Sequence, residues 1–193
     1  MSLPPFHERN PHLLQEAKLL LDRERIFVGA STSGVQFYGL GSFHSQYLGR
    51  EVYGGIKINF WYDDYFYNSL ANVSLLDELC LDSRNLLPLF FGGIKIENKI
   101  EILMEDFSQN GTIRGEEMLT SDCSIIPASI KELMSISPYN ELMRAFMHIG
   151  NNNFKMMDFD TIPWNDSYSE ISSQRAWDFQ TKEDKLNPYL ILQ

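Results

Sequence analysis

Cysteine is scarce in this chain of 193 residues, which has only Cys80 and Cys123, far apart and outside any CxxC motif. A disulfide-based scaffold and a cysteine zinc site therefore have no support, and two reduced thiols are expected. Histidine is also scarce, and its four positions show no HExxH or other ligand spacing. We expect neither a metal site nor a cofactor. The four histidines are His7, His12, His44 and His148.

Long apolar runs and export signals are missing as well. The longest apolar stretch, residues 86–94, contains proline and glycine and is too short to cross a bilayer. The first ten residues lack the basic and then apolar order of a secretory signal, so we expect a cytoplasmic protein. Walker A, GxGxxG and nucleophile-elbow motifs are absent from the sequence, so no enzyme class is indicated by a motif.

Basic residues are outnumbered: 16 Lys and Arg face 26 Asp and Glu, for a formal net charge of -10. This charge argues against nucleic acid or an anionic membrane as the partner and favours a basic protein. The charge is uneven, because residues 1–60 carry six basic and five acidic side chains, and the rest of the chain is strongly acidic. An acidic face for partner binding is predicted, with a solvated surface as the alternative. Its candidate residues are Asp63, Asp64, Glu116 and Glu117.

What the chain does contain is enough apolar material for a core, with 44% hydrophobic and 13% aromatic residues. One globular domain over 1–193 is predicted, with an irregular C-terminal tail over 163–193 packed on it. Short apolar runs separated by glycine predict a largely antiparallel sheet between residues 26 and 107, with a hairpin turn at 97–99. The segment 39–49 is read as a loop or a broken hairpin, and 54–62 as a strand.

Flanking helices are predicted near 11–24, 74–81 and 127–149, which gives an α+β class. The first helix would begin after Asn10, with Pro11 in its first turn. The second would begin at a capping box formed by Ser74 and Asp77. Two copies of Gly-Gly-Ile-Lys-Ile, at 54–58 and 92–96, are attributed to coincidence because their flanks differ.

One pair of carboxylates has a spacing suited to cation binding or acid–base catalysis. If residues 154–162 form a strand, Asp158 and Asp160 share one face, where they could hold a divalent cation or act as an acid and base pair. A solvated acidic edge is the alternative interpretation.

Part of the chain resembles the SUKH superfamily, whose members include immunity proteins against bacterial toxins and related protein-binding modules. The resemblance covers residues 26–80. It implies stoichiometric binding of a protein without catalysis, and the acidic residues after Phe60 would suit a basic target. The similar segments are 26–38, 51–53, 65–70 and 75–79.

A competing resemblance is to kinase-like phosphotransferases. Residues 29–34 resemble their glycine loop, and residues 102–107 resemble their hinge. This resemblance implies that Lys57 holds phosphate, that Glu78 pairs with it, and that Asp158 or Asp160 binds magnesium. The segment 148–153 has no aspartate where the catalytic base should stand, so the resemblance implies a degenerate or nucleotide-binding relative. A non-enzymatic, immunity-like protein is the leading hypothesis, and the sequence leaves the oligomeric state open.

Overall fold

The computed structural model describes residues 3–32, 34–79, 83–111, 113–114, 128–133, 135–138, 144–149, 153–182 and 184–193. The α+β class with a largely antiparallel sheet is confirmed. Within the described residues, no helix is long and apolar enough to cross a membrane. The helices are α1 (Phe6–Ala17), α2 (Tyr65–Leu79), α3 (Ser83–Leu86), α4 (Ala128–Leu133) and α5 (Tyr168–Gln180). The strands are β1 (Ile26–Ala30), β2 (Val35–Ser45), β3 (Arg50–Asn59), β4 (Phe90–Ile96), β5 (Lys99–Glu105), β6 (Ile113–Arg114), β7 (Phe146–His148), β8 (Phe154–Met156) and β9 (Leu190–Leu192).

The chain divides into two compact units. The first contains residues 1–66, 89–106 and 181–193, and the second contains residues 67–88 and 107–180. The single-domain organisation stays a prediction.

The first unit contains a six-stranded sheet in the order β1-β2-β3-β5-β4-β9. All its neighbours pair antiparallel except β4 and β9, which run parallel. The hairpin predicted at 97–99 is confirmed, because Ile96 pairs with Lys99 and Glu97 adopts φ 57° in the turn. Leu13, Leu14, Ala17 and Leu20 form the buried face of the N-terminal helical segment, which packs in one core with residues of β2 to β5. This core packs the N-terminal helical segment against one face of the sheet.

Two predicted boundaries in the first unit are wrong. α1 starts at Phe6, before Asn10, since the Phe6 ring lies 5.6 Å from the Tyr189 ring, and this packing stabilises an extra turn. β3 ends at Asn59, so residues 60–62 are not strand residues. Of the two interpretations of 39–49, the broken hairpin is confirmed: β2 continues to Ser45 with a bulge between Gly39 and Gly41, and Ser45 pairs with Arg50 of β3.

The repeated Gly-Gly-Ile-Lys-Ile strings lie on both sides of β5 and run in the same direction. The second glycine of each string, Gly55 or Gly93, leaves room for an aromatic ring. A Cβ on Gly55 would come 2.6 Å from the Phe37 ring, and a Cβ on Gly93 would come 2.6 Å from the Phe66 ring. The strings therefore share a packing role in this sheet.

Gly93→Ala is expected to lower the free energy of unfolding by about 2 kcal/mol, because the added methyl overlaps the Phe66 ring and approaches Ile100 within 3.0 Å. The matched control is Gly29→Ala in β1, where no heavy atom lies within 4 Å of the new methyl. Urea unfolding of both variants measures the difference. Equal stability of the two alanine variants would contradict the packing role of Gly93.

The second unit contains most of α2, with α3, α4, α5 and a three-stranded sheet in the order β6-β7-β8. Its buried polar centre is the Asn72 side chain, whose Nδ2 donates to the carbonyls of Phe159 at 2.8 Å and Asp160 at 3.2 Å. Its Oδ1 accepts from Trp164 Nε1 at 3.0 Å and from the Ser172 hydroxyl. One amide thus connects α2, the segment after β8, and α5.

Several predictions in the second unit are wrong. α2 begins at Tyr65 rather than at a capping box, and Ser74 lies inside the helix, where its hydroxyl donates to the Ala71 carbonyl at 2.9 Å. The predicted helix over 127–149 covers only Ala128–Leu133 among the described residues, because Phe146–His148 pairs as β7 with β8. The segment 163–193 is not irregular throughout, since it contains α5 in this unit and β9 in the first unit.

Candidate functional site

The most exposed aromatic segment of the first unit follows the end of β3. Phe60, Trp61 and Tyr62 are 53%, 74% and 60% exposed, and the next two residues, Asp63 and Asp64, are exposed as well. We call Phe60–Asp64 the aromatic–acidic loop. Large aromatic side chains are normally buried, so three consecutive exposed rings indicate a surface for binding.

The backbone of the aromatic–acidic loop is held at both ends. The Phe60 N–H donates to the Gly34 carbonyl at 3.3 Å, and the Trp61 N–H donates to Asn59 Oδ1 at 2.8 Å. The Tyr65 N–H donates to the Tyr62 carbonyl at 3.4 Å where α2 begins. These bonds restrain the backbone of the loop, and a restrained surface loses less conformational entropy on binding than a free one.

The lack of a side chain at Gly34 leaves room for the Trp61 ring. Gly34 has a φ of +79°, a left-handed conformation that favours glycine, and a Cβ at this position would overlap the Trp61 indole. The indole therefore lies against the backbone of the turn between β1 and β2, with most of its surface exposed. A ring supported on one side and open on the other is a pre-positioned contact surface.

One ring of the loop already contacts a cation within the protein. Lys99 Nζ stands 4.2 Å from the centre of the Phe60 ring, a cation–π geometry. Asp63 and Asp64 add two carboxylates directly after the exposed rings. Aromatic faces and carboxylates both attract guanidinium and ammonium groups, so the loop has the chemistry to bind a basic side chain.

The structure places the predicted acidic-face residues as follows. Asp63 and Asp64 lie side by side in the turn before α2, within the aromatic–acidic loop. Glu116 and Glu117 lie outside the described residues. The proposed face therefore rests on Asp63 and Asp64, together with the rings that precede them.

The residues of the phosphotransferase alternative are distributed over both units. Lys57 is buried on β3 in the first unit, with Nζ 5.4 Å from the centre of the Tyr65 ring. Glu78 belongs to the second unit, where its carboxylate is ion-paired with Arg175. The pairing of Lys57 with Glu78 that this resemblance implies stays a prediction.

The strand predicted to carry Asp158 and Asp160 ends at Met156, so the strand geometry behind their shared-face interpretation is wrong, and their role in chemistry stays a prediction. The chain leaves β8 there, and the Asp158 N–H donates to the Ala145 carbonyl at 3.3 Å. The Asp160 carbonyl accepts from Asn72. Across the described part of the chain, no three His, Cys, Asp or Glu residues are grouped to hold a metal ion.

The sequence interpretation missed Phe60, Trp61 and Tyr62 as site residues because it continued the β3 strand through them. A signal for their exposure was present, since successive strand residues point to opposite faces and three consecutive rings cannot all enter one core. The Asp-Asp pair that follows them also marks a turn at the surface.

No known protein family and no curated protein matches this sequence. The structure itself defines the class: an α+β protein with an exposed, pre-positioned aromatic–acidic loop.

Proposed function

We propose that the protein is a non-enzymatic, cytoplasmic protein-binding module that takes a basic segment of a partner protein on the aromatic–acidic loop. The observation that carries the proposal is the exposure of Phe60, Trp61 and Tyr62 on a backbone held by Gly34 and Asn59. Tryptophan and tyrosine are enriched among the residues that dominate binding energy at protein interfaces.

The charge of the partner follows from Asp63 and Asp64. Carboxylates beside exposed rings attract a basic segment and discriminate against acidic ones. The net charge of -10 acts in the same direction and would speed the approach of a basic protein. An immunity-like role, in which the chain occupies and neutralises a basic partner one to one, belongs to the same proposal.

The proposal is tested with a fluorescent oligo-arginine peptide and double charge reversal of the loop. Asp63→Lys with Asp64→Lys is expected to weaken binding at least about tenfold, because two attractive charges become repulsive at the contact. The control, Asp22→Lys with Glu24→Lys, changes the net charge by the same amount at exposed positions of the same unit. Fluorescence anisotropy at physiological salt measures both dissociation constants.

The two double variants separate a local site from a global charge effect. The proposal predicts that the control stays within about twofold of the wild-type affinity, since salt at physiological ionic strength screens exposed charges beyond about 8 Å. Equal weakening of both variants, or wild-type affinity in both, would overturn the aromatic–acidic loop as the site.

A further inference from the structure

Asn110 ends an exposed turn of 3₁₀ helix, Ser108–Asn110, in the second unit, and Gly111 follows it. Every residue from Ser108 to Gly111 is exposed. The Asn110 N–H donates to the Phe107 carbonyl at 2.9 Å, so the backbone is held on the N-terminal side of the pair. The Asn110 side chain and the amide that follows it both face solvent.

The backbone nitrogen of Gly111 is accessible to a neighbouring group. Gly111 adopts φ +64°, a left-handed conformation that favours glycine, and a Cβ built on it would have no heavy atom within 4 Å. Within the part of the chain that the structure describes, no group accepts a hydrogen bond from the Gly111 N–H. Neither a side chain nor an acceptor among these residues therefore shields this nitrogen.

An accessible backbone nitrogen after asparagine has a specific reactivity, because it can close a five-membered ring on the asparagine side-chain carbon Cγ. Glycine permits this ring best, since it has no side chain to crowd the nitrogen and the most freedom in its backbone. Asn110 is the only asparagine in the sequence that glycine follows. Asn10 and Asn187 precede prolines, which have no N–H to react.

We propose that Asn110 is a site of spontaneous deamidation in the folded protein. The Gly111 nitrogen attacks Cγ of Asn110, and the new N–C bond replaces the bond from Cγ to Nδ2. The side-chain nitrogen leaves as ammonia and takes the proton of the Gly111 N–H. Water then opens the cyclic imide at either carbonyl, which gives aspartate or isoaspartate.

The two products alter the chain in different ways. Each adds one negative charge to the formal net charge of -10, and isoaspartate also inserts a methylene group into the backbone after the 3₁₀ turn. The reaction needs no enzyme and no reactant besides water. The inference is independent of the proposed function, because it does not involve the aromatic–acidic loop.

Incubation of the folded protein at neutral and mildly alkaline pH, followed by peptide mapping with mass spectrometry, tests the proposal. The fragment that contains Asn110 is expected to gain about 1 Da as the amide becomes a carboxylic acid. A synthetic peptide of residues 107–112 provides the reference rate. Conversion in the folded protein is expected within about threefold of that rate, because an exposed amide without a hydrogen bond reacts without prior unfolding.

Two controls identify the reacting pair. Asn98 is equally an exposed turn residue but precedes Lys99, and it is expected to stay unmodified in the same digests. Gly111→Ala, whose methyl would contact no heavy atom within 4 Å, is expected to slow conversion at least about tenfold, because that methyl crowds the nitrogen. An unmodified Asn110 in folded protein while the peptide converts, equal conversion of Asn98, or an unchanged rate in Gly111→Ala would overturn the proposal.

Discussion

Asn72→Ala is expected to lower the free energy of unfolding by about 4 kcal/mol, among the largest effects of any single side chain in the second unit. The substitution removes four hydrogen bonds from the buried centre of this unit. Two backbone carbonyls, an indole N–H and a hydroxyl then lose their hydrogen bonds to the Asn72 amide. Each buried polar group left unsatisfied costs about 1–3 kcal/mol. Urea unfolding followed by circular dichroism measures the change.

The control for Asn72 lies one helical turn earlier on α2. Asn68→Ala makes the same chemical change in the same helix at a partly exposed position, so helix propensity contributes equally to both variants. We expect Asn68→Ala to change stability by less than about 1 kcal/mol. A small effect at Asn72, equal to that at Asn68, would contradict the role of the Asn72 amide as the connection among these segments.

Trp61→Ala is expected to weaken binding of the oligo-arginine peptide by about thirtyfold, equivalent to about 2 kcal/mol. The indole is the largest exposed ring of the aromatic–acidic loop, and tryptophan is the strongest cation–π acceptor among the side chains. The thermal unfolding midpoint is expected to change little, because most of the indole surface faces solvent in the unbound protein. Anisotropy titration and a thermal melt of the same samples separate binding from folding.

Trp177 supplies the matched control for Trp61. It is 62% exposed on α5 in the second unit, so Trp177→Ala removes a similar ring at a similar exposure. We expect Trp177→Ala to leave the dissociation constant within about twofold of the wild type. A comparable loss of affinity in both variants would show that the peptide binds aromatic surface without preference for the loop.

The sequence predicted the part of the fold that local patterns control. A glycine-containing apolar run at 92–96 and alternation over 100–105 identified the β4–β5 hairpin, since turn geometry and strand period are both local. The α+β class followed from the same kind of pattern.

Boundaries that depend on distant contacts were not predictable in this way. Phe146–His148 has a sequence suited to a helix, but pairing of Phe146 with Met156 and of His148 with Phe154 makes it a strand. α5 also lacked a clear apolar period, and its Ser172 contacts Asn72, which lies 100 residues away in the sequence. Tertiary contacts determine the secondary structure of these segments and override their local preferences.

The candidate site was predicted only in its charged half. Asp63 and Asp64 were identified because acidic density can be read from the sequence, whereas the exposure of Phe60, Trp61 and Tyr62 depends on where β3 ends. That end is set by the pairing of Asn59 with Val35 and by the turn at Gly34. The position of the loop is therefore a property of the folded sheet.

The most direct test of the aromatic–acidic loop is the response of the tryptophan indole N–H signals to oligo-arginine in a nitrogen–proton correlation spectrum. The chain has three tryptophans, and Trp61→Phe assigns the signal of the loop. Trp164 donates its indole N–H to Asn72, and Trp177 is exposed in the second unit, so both serve as internal references. We predict that the Trp61 signal moves progressively with peptide while the other two stay in place. A stationary Trp61 signal at peptide saturation, or an equal shift of Trp177, would contradict binding at the aromatic–acidic loop.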